Sequence, residues 1–233
     1  MLSYMQFGES ILDFFGLFFP RICASCDNNL MRNEKFLCTQ CLWELPKTNF
    51  HNDNENEVAK TFWGRVILEN ATAHFYFQKG GHVQKLLHKL KYKDQKEIGV
   101  ELGKIMGFDL LGTAFSAIDI VIPVPLHKSK LRKRGYNQSE YIARGISEIL
   151  LKPLDIKNLV RSLANPSQTK KHRYERWTNV EGIFMVTDLE NFSNKHVLLI
   201  DDVITTGSTL DACVEALQMA TNVKVSIAVV AMA

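Results

Sequence analysis

The stretch that decides the fold is His196-Val-Leu-Leu-Ile-Asp-Asp-Val-Ile-Thr-Thr-Gly-Ser-Thr-Leu210. It joins an apolar run, two adjacent carboxylates and a turn rich in Gly, Ser and Thr. The apolar run at residues 197–200 predicts a strand that is covered on both faces, as the strands of parallel sheets are. Leu210, Val214 and Leu217 follow at the spacing of one helix face. The turn is therefore expected to lead from a buried strand into a helix that packs on the sheet.

The two acids and the turn have the composition of a site for a phosphorylated sugar. Asp201 and Asp202 end the predicted strand, where ligands bind in open α/β sheets. Their carboxylates can accept hydrogen bonds from ribose hydroxyls or help to hold Mg²⁺, which prefers oxygen ligands. Gly207 lets the backbone approach a ligand closely. Around it, at the start of a helix, lie further donors for a phosphate: Thr205, Thr206, Ser208 and Thr209.

The same turn has a plainer interpretation as an ordinary strand, a polar turn and a capped helix. Ser208 and Asp211 have the S-x-x-D spacing that caps a helix start. The number of separate features that coincide here favours the phosphosugar site over the plainer interpretation.

The composition places few limits on function. The chain has 233 residues, 46% of them hydrophobic and 23% charged, which suffices for one sizeable core and a small appendage. Its net charge of +3 identifies no partner. Residues 1–20 are apolar, but Glu9 and Asp13 interrupt them and the run is too short to span a bilayer. They predict an amphipathic helix on the domain or on a partner, with membrane association as the alternative; a cytoplasmic protein without a transmembrane segment is expected.

Four of the five cysteines form two C-x2-C pairs that are separated by eleven residues. These are Cys23, Cys26, Cys38 and Cys41. Such paired knuckles suit a structural Zn²⁺ with four thiolate ligands. Two disulfides or four unpaired thiols are the alternatives, and the lack of a secretory signal favours zinc over disulfides. Cys213 is expected to be a small buried apolar residue.

The remaining pattern divides the chain into three parts. An N-terminal helix and zinc ribbon are predicted at residues 1–46, a polar Asn-rich linker at 47–61, and an α/β domain at 62–233. Alternating strands and helices predict a mostly parallel sheet with helices on both faces. The strands are expected at 71–77, 118–124, 183–186, 197–200 and 223–230, and the helices around 83–90, at 98–111 and at 137–151.

Two basic segments stand out in the α/β part. Residues 128–134 hold five Lys or Arg and are predicted to form a cationic loop that neutralises a polyphosphate. Arg132 and Arg134 suit this role because the planar guanidinium binds phosphate oxygens in pairs; a solvated loop without ligand is the alternative. Residues 165–180 add basic side chains and aromatic rings. They can close over a charged substrate, bind single-stranded nucleic acid, or form a surface helix, and all three readings stay open.

The motifs together resemble a known family over almost the whole chain. The sequence is similar to the ComF-type phosphoribosyltransferase-family proteins, and its turn resembles the 5-phosphoribosyl-1-pyrophosphate (PRPP) signature of type I phosphoribosyltransferases. The motifs that carry the resemblance are the four cysteines, Leu90-Lys-Tyr-Lys93, Pro123-Val-Pro-Leu-His127, Arg132-Lys-Arg-Gly-Tyr-Asn-Gln138, Gln168-Thr169, Arg176-Trp-Thr-Asn-Val180 and Ile200-Asp-Asp-Val-Ile-Thr-Thr-Gly-Ser-Thr209.

The resemblance implies a type I phosphoribosyltransferase-like domain behind an N-terminal zinc ribbon, and an association with natural competence and incoming single-stranded DNA. It implies that Asp201 and Asp202 face the ribose hydroxyls as the catalytic pair and that residues 205–209 hold the 5′-phosphate. The first hypothesis is an enzyme that binds PRPP with Mg²⁺. Its pyrophosphate would face Arg132 and Arg134, with Lys91 as a helper, and the acceptor stays unidentified.

Two other hypotheses remain from the sequence. The first is a non-catalytic nucleotide- or single-stranded-DNA-binding module on the same fold, since a fold does not determine function. The second is a structural protein that binds partners, competence proteins among them, through the zinc ribbon and the N-terminal helix.

Overall fold

The computed structural model describes residues 20–161 and 183–233. The helix predicted at the N-terminus and the basic segment at 165–180 lie outside the described residues. The described helices are α1 Thr39–Trp43, α2 Glu57–Thr61, α3 His82–Tyr92, α4 Lys96–Leu110, α5 Lys128–Arg134, α6 Gln138–Leu150 and α7 Ser208–Leu217, with short 3-10 helices at Phe50–Asn52 and Ala114–Ala117. The strands are β1 Asn70–Tyr76, β2 Ile120–Pro123, β3 Leu159–Arg161, β4 Phe184–Val186, β5 His196–Ile204 and β6 Lys224–Met232.

Four strands form a parallel sheet in the order β1-β6-β5-β2. The parallel sheet and its helices confirm the predicted fold class. The strand that carries the two acids is longer than predicted. It was expected to end at Ile200, yet it continues to Ile204, where it still pairs with Met232 of β6. On its other side β2 ends at Pro123, which lies opposite Ile200, and the Val124 N–H makes a last hydrogen bond to the Ile200 carbonyl at 2.8 Å. Asp201 and Asp202 therefore follow the last residue that β2 covers.

Helices cover both faces of this sheet, as the pattern predicts. Val197 and Leu199 of β5 pack into a cluster with α7, whereas Leu198 and Ile200 pack into a second cluster with α3, α4 and α6. Successive side chains of a strand point to opposite faces. A continuous apolar run is therefore what this strand needs, and all four residues are fully buried.

Helices α4 and α6 approach each other through glycines. A Cβ atom at Gly103 would lie 2.0 Å from the carbonyl oxygen of Ile142, and one at Gly145 would lie 2.0 Å from that of Val100. No side chain fits at either position, so the two backbones are in direct contact. This contact fixes α6, whose first turn faces the two acids of β5.

The segment predicted as a linker packs on the sheet. The Thr48 backbone N–H donates to the His74 carbonyl at 3.0 Å, and the buried Asn56 side chain donates to the Ala71 carbonyl at 2.7 Å. Val58 is fully buried. Residues 47–61 are thus held along β1, and the three-part division of the chain stays a prediction.

The basic segment at 128–134 is a helix, so the expectation of a loop was wrong. The His127 ring accepts a hydrogen bond from the Ser129 N–H at 3.2 Å and caps α5. Lysine and arginine are good helix formers, and Gly135 ends the helix with φ of 79°.

Within residues 20–161 and 183–233, none of the helices combines the length and the apolar character that crossing a bilayer requires.

Candidate functional site

The turn after β5 forms an open pocket at the start of α7. Residues 203–210 line the pocket, and the side chains of the turn, Thr205, Thr206, Ser208 and Thr209, are exposed to solvent. The spacing of Ser208 and Asp211 predicts that Ser208 caps α7. This prediction was wrong, because Ser208 is the first helical residue. The N-cap is Gly207, which has no side chain to offer. The Ser208 N–H donates to the Thr206 hydroxyl oxygen at 3.5 Å, and with no side chain at the N-cap the other donors of the helix start suit an anionic ligand.

Gly207 is required by two independent constraints. Its φ of 76° lies in the left-handed region that other residues adopt at a cost. A Cβ atom at this position would also come within 3.1 and 3.2 Å of two ring carbons of Phe62. Because Phe62 is buried, the ring has little room to move. The turn therefore depends on a residue outside its own motif.

Asp202 lies at the centre of a polar network below the turn. Its side chain is almost fully buried, and its Oδ2 accepts hydrogen bonds from Lys91 Nζ at 2.8 Å and Gln138 Nε2 at 2.9 Å. The Lys91 charge balances the carboxylate, since an unpaired buried charge is costly. The structure thus brings together Lys91 and Asp202, which are far apart in the sequence.

Asp201 has a different environment from its neighbour. Its Oδ1 accepts hydrogen bonds from the Ser139 hydroxyl and the Asp202 backbone N–H, both at 2.8 Å. Burial, with a further contribution from the negative charge of Asp202, raises the pKa of Asp201 to about 7. One carboxyl of the pair is consequently poised between its two protonation states near neutral pH, a feature that is common in functional sites.

The two arginines predicted to bind pyrophosphate differ in position. Arg134 donates to Gln138 Oε1 at 2.8 Å and lies 5.3 Å from the centre of the Tyr92 ring. It therefore joins the network of Asp202 through Gln138. Arg132 is exposed on α5, and no hydrogen bond or ion pair among the described residues joins it to this network.

Gln138 and Ser139 are site residues that sequence reasoning did not identify. Both are buried, and both donate to the acid pair from the first turn of α6. Asn137 caps that helix, as predicted, by accepting from the Ser139 N–H at 3.2 Å. Gln138 is part of the motif Arg132–Gln138 that carries the family resemblance, but no local pattern indicates that either side chain faces the acids.

The oxygen atoms of Asp201, Asp202 and the nearby hydroxyls are the donor type that Mg²⁺ prefers. Lys91 already neutralises Asp202 in this arrangement. A magnesium ion at the pair would have to share Asp202 with Lys91 or displace it. The donor chemistry of the pair fits the ion.

The four cysteines of the two knuckles form one cluster. Their sulfur atoms all lie within 4.8 Å of one another, no disulfide joins them, and Cys26 Sγ lies 3.8 Å from Cys38 Sγ. A tetrahedral zinc with Zn–S bonds of about 2.3 Å has S···S edges of about 3.8 Å. Backbone N–H donors lower the pKa of Cys23 although burial opposes its ionisation, whereas burial raises the pKa of Cys41. The cluster can hold a metal ion such as zinc.

The ribbon that carries these cysteines rests on α3. Ser25 Oγ and His82 Nδ1 are 2.5 Å apart, and Lys89 pairs with Asp27 at 2.7 Å. Cys23 and Cys41 share a core with Leu86 and Leu90. The same helix presents Lys91 to Asp202, so the ribbon and the acid pair are attached to one element. Cys213 is fully buried, as predicted.

Comparisons with known proteins support the resemblance seen in the sequence. Residues 128–233 match the family described as Phosphoribosyl transferase domain. The chain is 28% identical to the DNA utilization protein YhgH of Escherichia coli K12 over 194 residues, or 81% of this chain and 80% of that protein. It is 25% identical to Competence protein F of Haemophilus influenzae over 205 residues, or 83% and 89%. Competence protein ComFC of Bacillus subtilis is 28% identical over 200 residues, or 82% and 75%.

The solved structures that match this chain include a glutamine PRPP amidotransferase from Bacillus subtilis. It is 17% identical to this chain, with a TM-score of 0.44, and the match covers 61% of this chain and 30% of that one. A purine phosphoribosyltransferase from Pyrococcus horikoshii is 17% identical, with a TM-score of 0.34, and the match covers 59% and 73%.

We predict that Asp201→Asn stabilises the protein increasingly as the pH rises from about 4 to about 7. Because the pKa of Asp201 is raised from 3.8 to about 7, the unfolded chain loses this proton at a lower pH than the folded protein. The acid therefore lowers the free energy of unfolding across that interval, and asparagine does not. Urea unfolding of both proteins at several pH values measures the difference, which should level off above pH 7.

The matched control for this measurement is Asp188→Asn at an exposed turn. It is expected to change the free energy of unfolding by a constant, small amount. If the free energy of unfolding of Asp201→Asn differed from that of the wild type by the same amount at every pH, the raised pKa of Asp201 would be contradicted.

Proposed function

Given that the chain carries a phosphoribosyl transferase domain and is homologous to Competence protein F and ComFC, we propose that it binds PRPP together with Mg²⁺. The observation that carries the proposal is the juxtaposition of two features at one edge of the sheet. An open helix start with Gly207 as its N-cap lies beside the Asp201 and Asp202 pair. A phosphate fits the first feature, and ribose hydroxyls fit the second.

The residues of this edge have distinct roles in the proposal. The donors of Thr205, Thr206, Gly207, Ser208 and Thr209 hold the 5′-phosphate. Asp201 and Asp202 accept hydrogen bonds from the ribose hydroxyls. On the far side of the ribose the pyrophosphate faces Arg134, Arg132 and Lys91, whose positive charges complement it.

We further propose that the protein is a phosphoribosyltransferase. In such a transfer the bond from the ribose to the pyrophosphate breaks, positive charge develops on the ribose ring, and an acceptor takes the ribosyl group. Magnesium would supply charge neutralisation for the leaving pyrophosphate. The chain's own contribution is to orient the ribose and to place charge in advance of the reaction. Lys91, Gln138 and Ser139 support this role because they hold the acid pair in place.

Calorimetric titration of the full chain with PRPP, in the presence and absence of Mg²⁺, tests the proposal. We expect Mg²⁺-dependent binding, and we expect Asp202→Asn to weaken it by about tenfold or more, because hydrogen bonds to charged groups contribute about 1.5–3 kcal/mol. Asp188→Asn, which is remote from the acid pair in sequence and exposed, should leave the affinity unchanged.

The outcomes of this titration separate the hypotheses. No heat with the wild type would reject PRPP binding. Binding without pyrophosphate release in the presence of any nucleobase or amine tested would favour the non-catalytic module over the enzyme.

We also propose that the cluster of Cys23, Cys26, Cys38 and Cys41 holds a structural Zn²⁺. Metal analysis of the purified chain is expected to give about one zinc per chain, which is the stoichiometry of a closed four-thiolate site. Cys41→Ser should lower the zinc content, whereas Cys213→Ala, at a buried cysteine outside the cluster, should retain it. Equal metal loss in both variants, or a wild type without zinc, would contradict the assignment.

A second candidate function is the binding of single-stranded DNA in the cytoplasm, as part of natural competence. The names of the relatives refer to DNA utilization and competence. One observation favours it in this chain: Lys128, Lys130 and Lys133 are all exposed on α5. Three exposed lysines on one short helix can contact successive phosphates.

A mobility-shift series with single-stranded DNA at several salt concentrations measures this function. Changing the three lysines of α5 to Gln should weaken binding and lower the dependence of log K on log salt by about 2, since each phosphate contact on a single strand contributes about 0.7. A control triple change of the exposed Lys35, Lys79 and Lys157 should leave the dependence unaltered. Absence of binding by the wild type at low salt would reject DNA binding.

A further inference from the structure

Arg65 connects the phosphate turn to a segment that lies outside the matched domain at residues 128–233. Its guanidinium donates to the carbonyl oxygens of Thr206 at 2.9 Å and Thr61 at 3.0 Å, and it pairs with the Asp211 carboxylate. One side chain thus contacts the turn, the first turn of α7 and the end of α2. The guanidinium suits this arrangement because its donors point in several fixed directions.

The contact with Thr206 determines the direction of the Gly207 N–H. In a trans peptide the carbonyl oxygen and the following N–H point in opposite directions. The described chain contains no cis peptide bond. Because Arg65 holds the Thr206 carbonyl, the Gly207 N–H points away from the guanidinium. Arg65 therefore sets the direction of a backbone donor in the centre of the turn.

The contact with Asp211 places a positive charge beside a carboxylate that lies near the turn. Asp211 lies in the first turn of α7, and its Oδ1 is buried without a hydrogen-bond partner among residues 20–161 and 183–233. A carboxylate near a phosphate repels it. The Arg65 charge offsets this repulsion, and the partial burial of the pair, with side chains 37% and 15% exposed, limits its screening by solvent.

We propose that Arg65 is a positioning residue for the 5′-phosphate: it orients the Gly207 N–H and neutralises Asp211, without itself contacting the ligand. The proposal rests on the proposed binding of a phosphoribosyl ligand at this turn. Thr61 and Phe62 lie against Gly207, and Arg65 donates to the Thr206 carbonyl, so one segment contacts the turn through three residues. The part of the site that selects a phosphosugar is thus completed by the region between the ribbon and β1.

Calorimetry with two probes tests the proposal on the full chain. Ribose 5-phosphate reports on the turn, and pyrophosphate with Mg²⁺ reports on the rest of the site. Arg65→Gln should weaken ribose 5-phosphate binding by tenfold or more and change pyrophosphate binding by less than twofold. Adding Asp211→Asn to this variant should restore part of the lost affinity, because it removes the uncompensated charge.

Two further variants distinguish positioning from stability. Arg65→Lys keeps the charge but cannot reach both carbonyls and the carboxylate, so we expect a folded protein with intermediate affinity for ribose 5-phosphate. Arg144→Gln removes another exposed arginine ion pair, the one with Glu140 on α6, and should leave both affinities unaltered.

Three outcomes would overturn the proposal. Equal losses for the two probes would show that Arg65 acts only on stability, as would an Arg65→Gln and Asp211→Asn double variant with no recovery. Wild-type affinity in Arg65→Gln would show that the turn does not need Arg65. A wild type that binds neither probe would instead reject the proposed function and, with it, this inference.

Discussion

Two adjacent carboxylates in the middle of a buried strand are the constraint on which this structure depends. Asp201 and Asp202 follow four fully buried residues in β5, and burying negative charge is costly unless it is paired and hydrogen-bonded. Lys91 from α3 supplies the charge, and the first turn of α6 supplies the donors of Gln138 and Ser139. Three elements must therefore meet at one point of the sheet edge.

The rest of the fold holds these elements in position. The backbones of α4 and α6 touch at Gly103 and Gly145, which keeps the first turn of α6 close to β5. The cysteine ribbon packs on α3 through Ser25 and His82. A metal ion in the ribbon would thus stabilise the same helix that supplies Lys91. The ribbon and the sheet are best regarded as parts of one packed structure, since they share a hydrophobic core.

The fold could be predicted from the sequence to a large extent, and the site only in part. The five predicted strands, the three longer helices before β5 and the cap at Asn137 have local patterns, and the structure contains each of them. The short strand β3 was not predicted, and it pairs with β4 outside the parallel sheet. The expected cap at Ser208 and the expected loop at 128–134 were wrong. In both cases the local pattern was compatible with two structures. Asp211 pairs with Arg65 instead of capping α7, and His127 starts a helix that continues through the basic run.

The sequence by itself determined three features: the parallel α/β fold, the four-cysteine cluster, and the turn between β5 and α7 with the two acids before it. Each is encoded by residues that are close in the chain. Only the tertiary structure decided which partners complete the site. Lys91, Gln138 and Arg65 lie far from β5 in the sequence, and their contacts arise when crossovers and helix packing bring distant segments to one edge of the sheet. Periodicity describes which face of an element is buried, but it contains no information on which remote side chain will lie against that face.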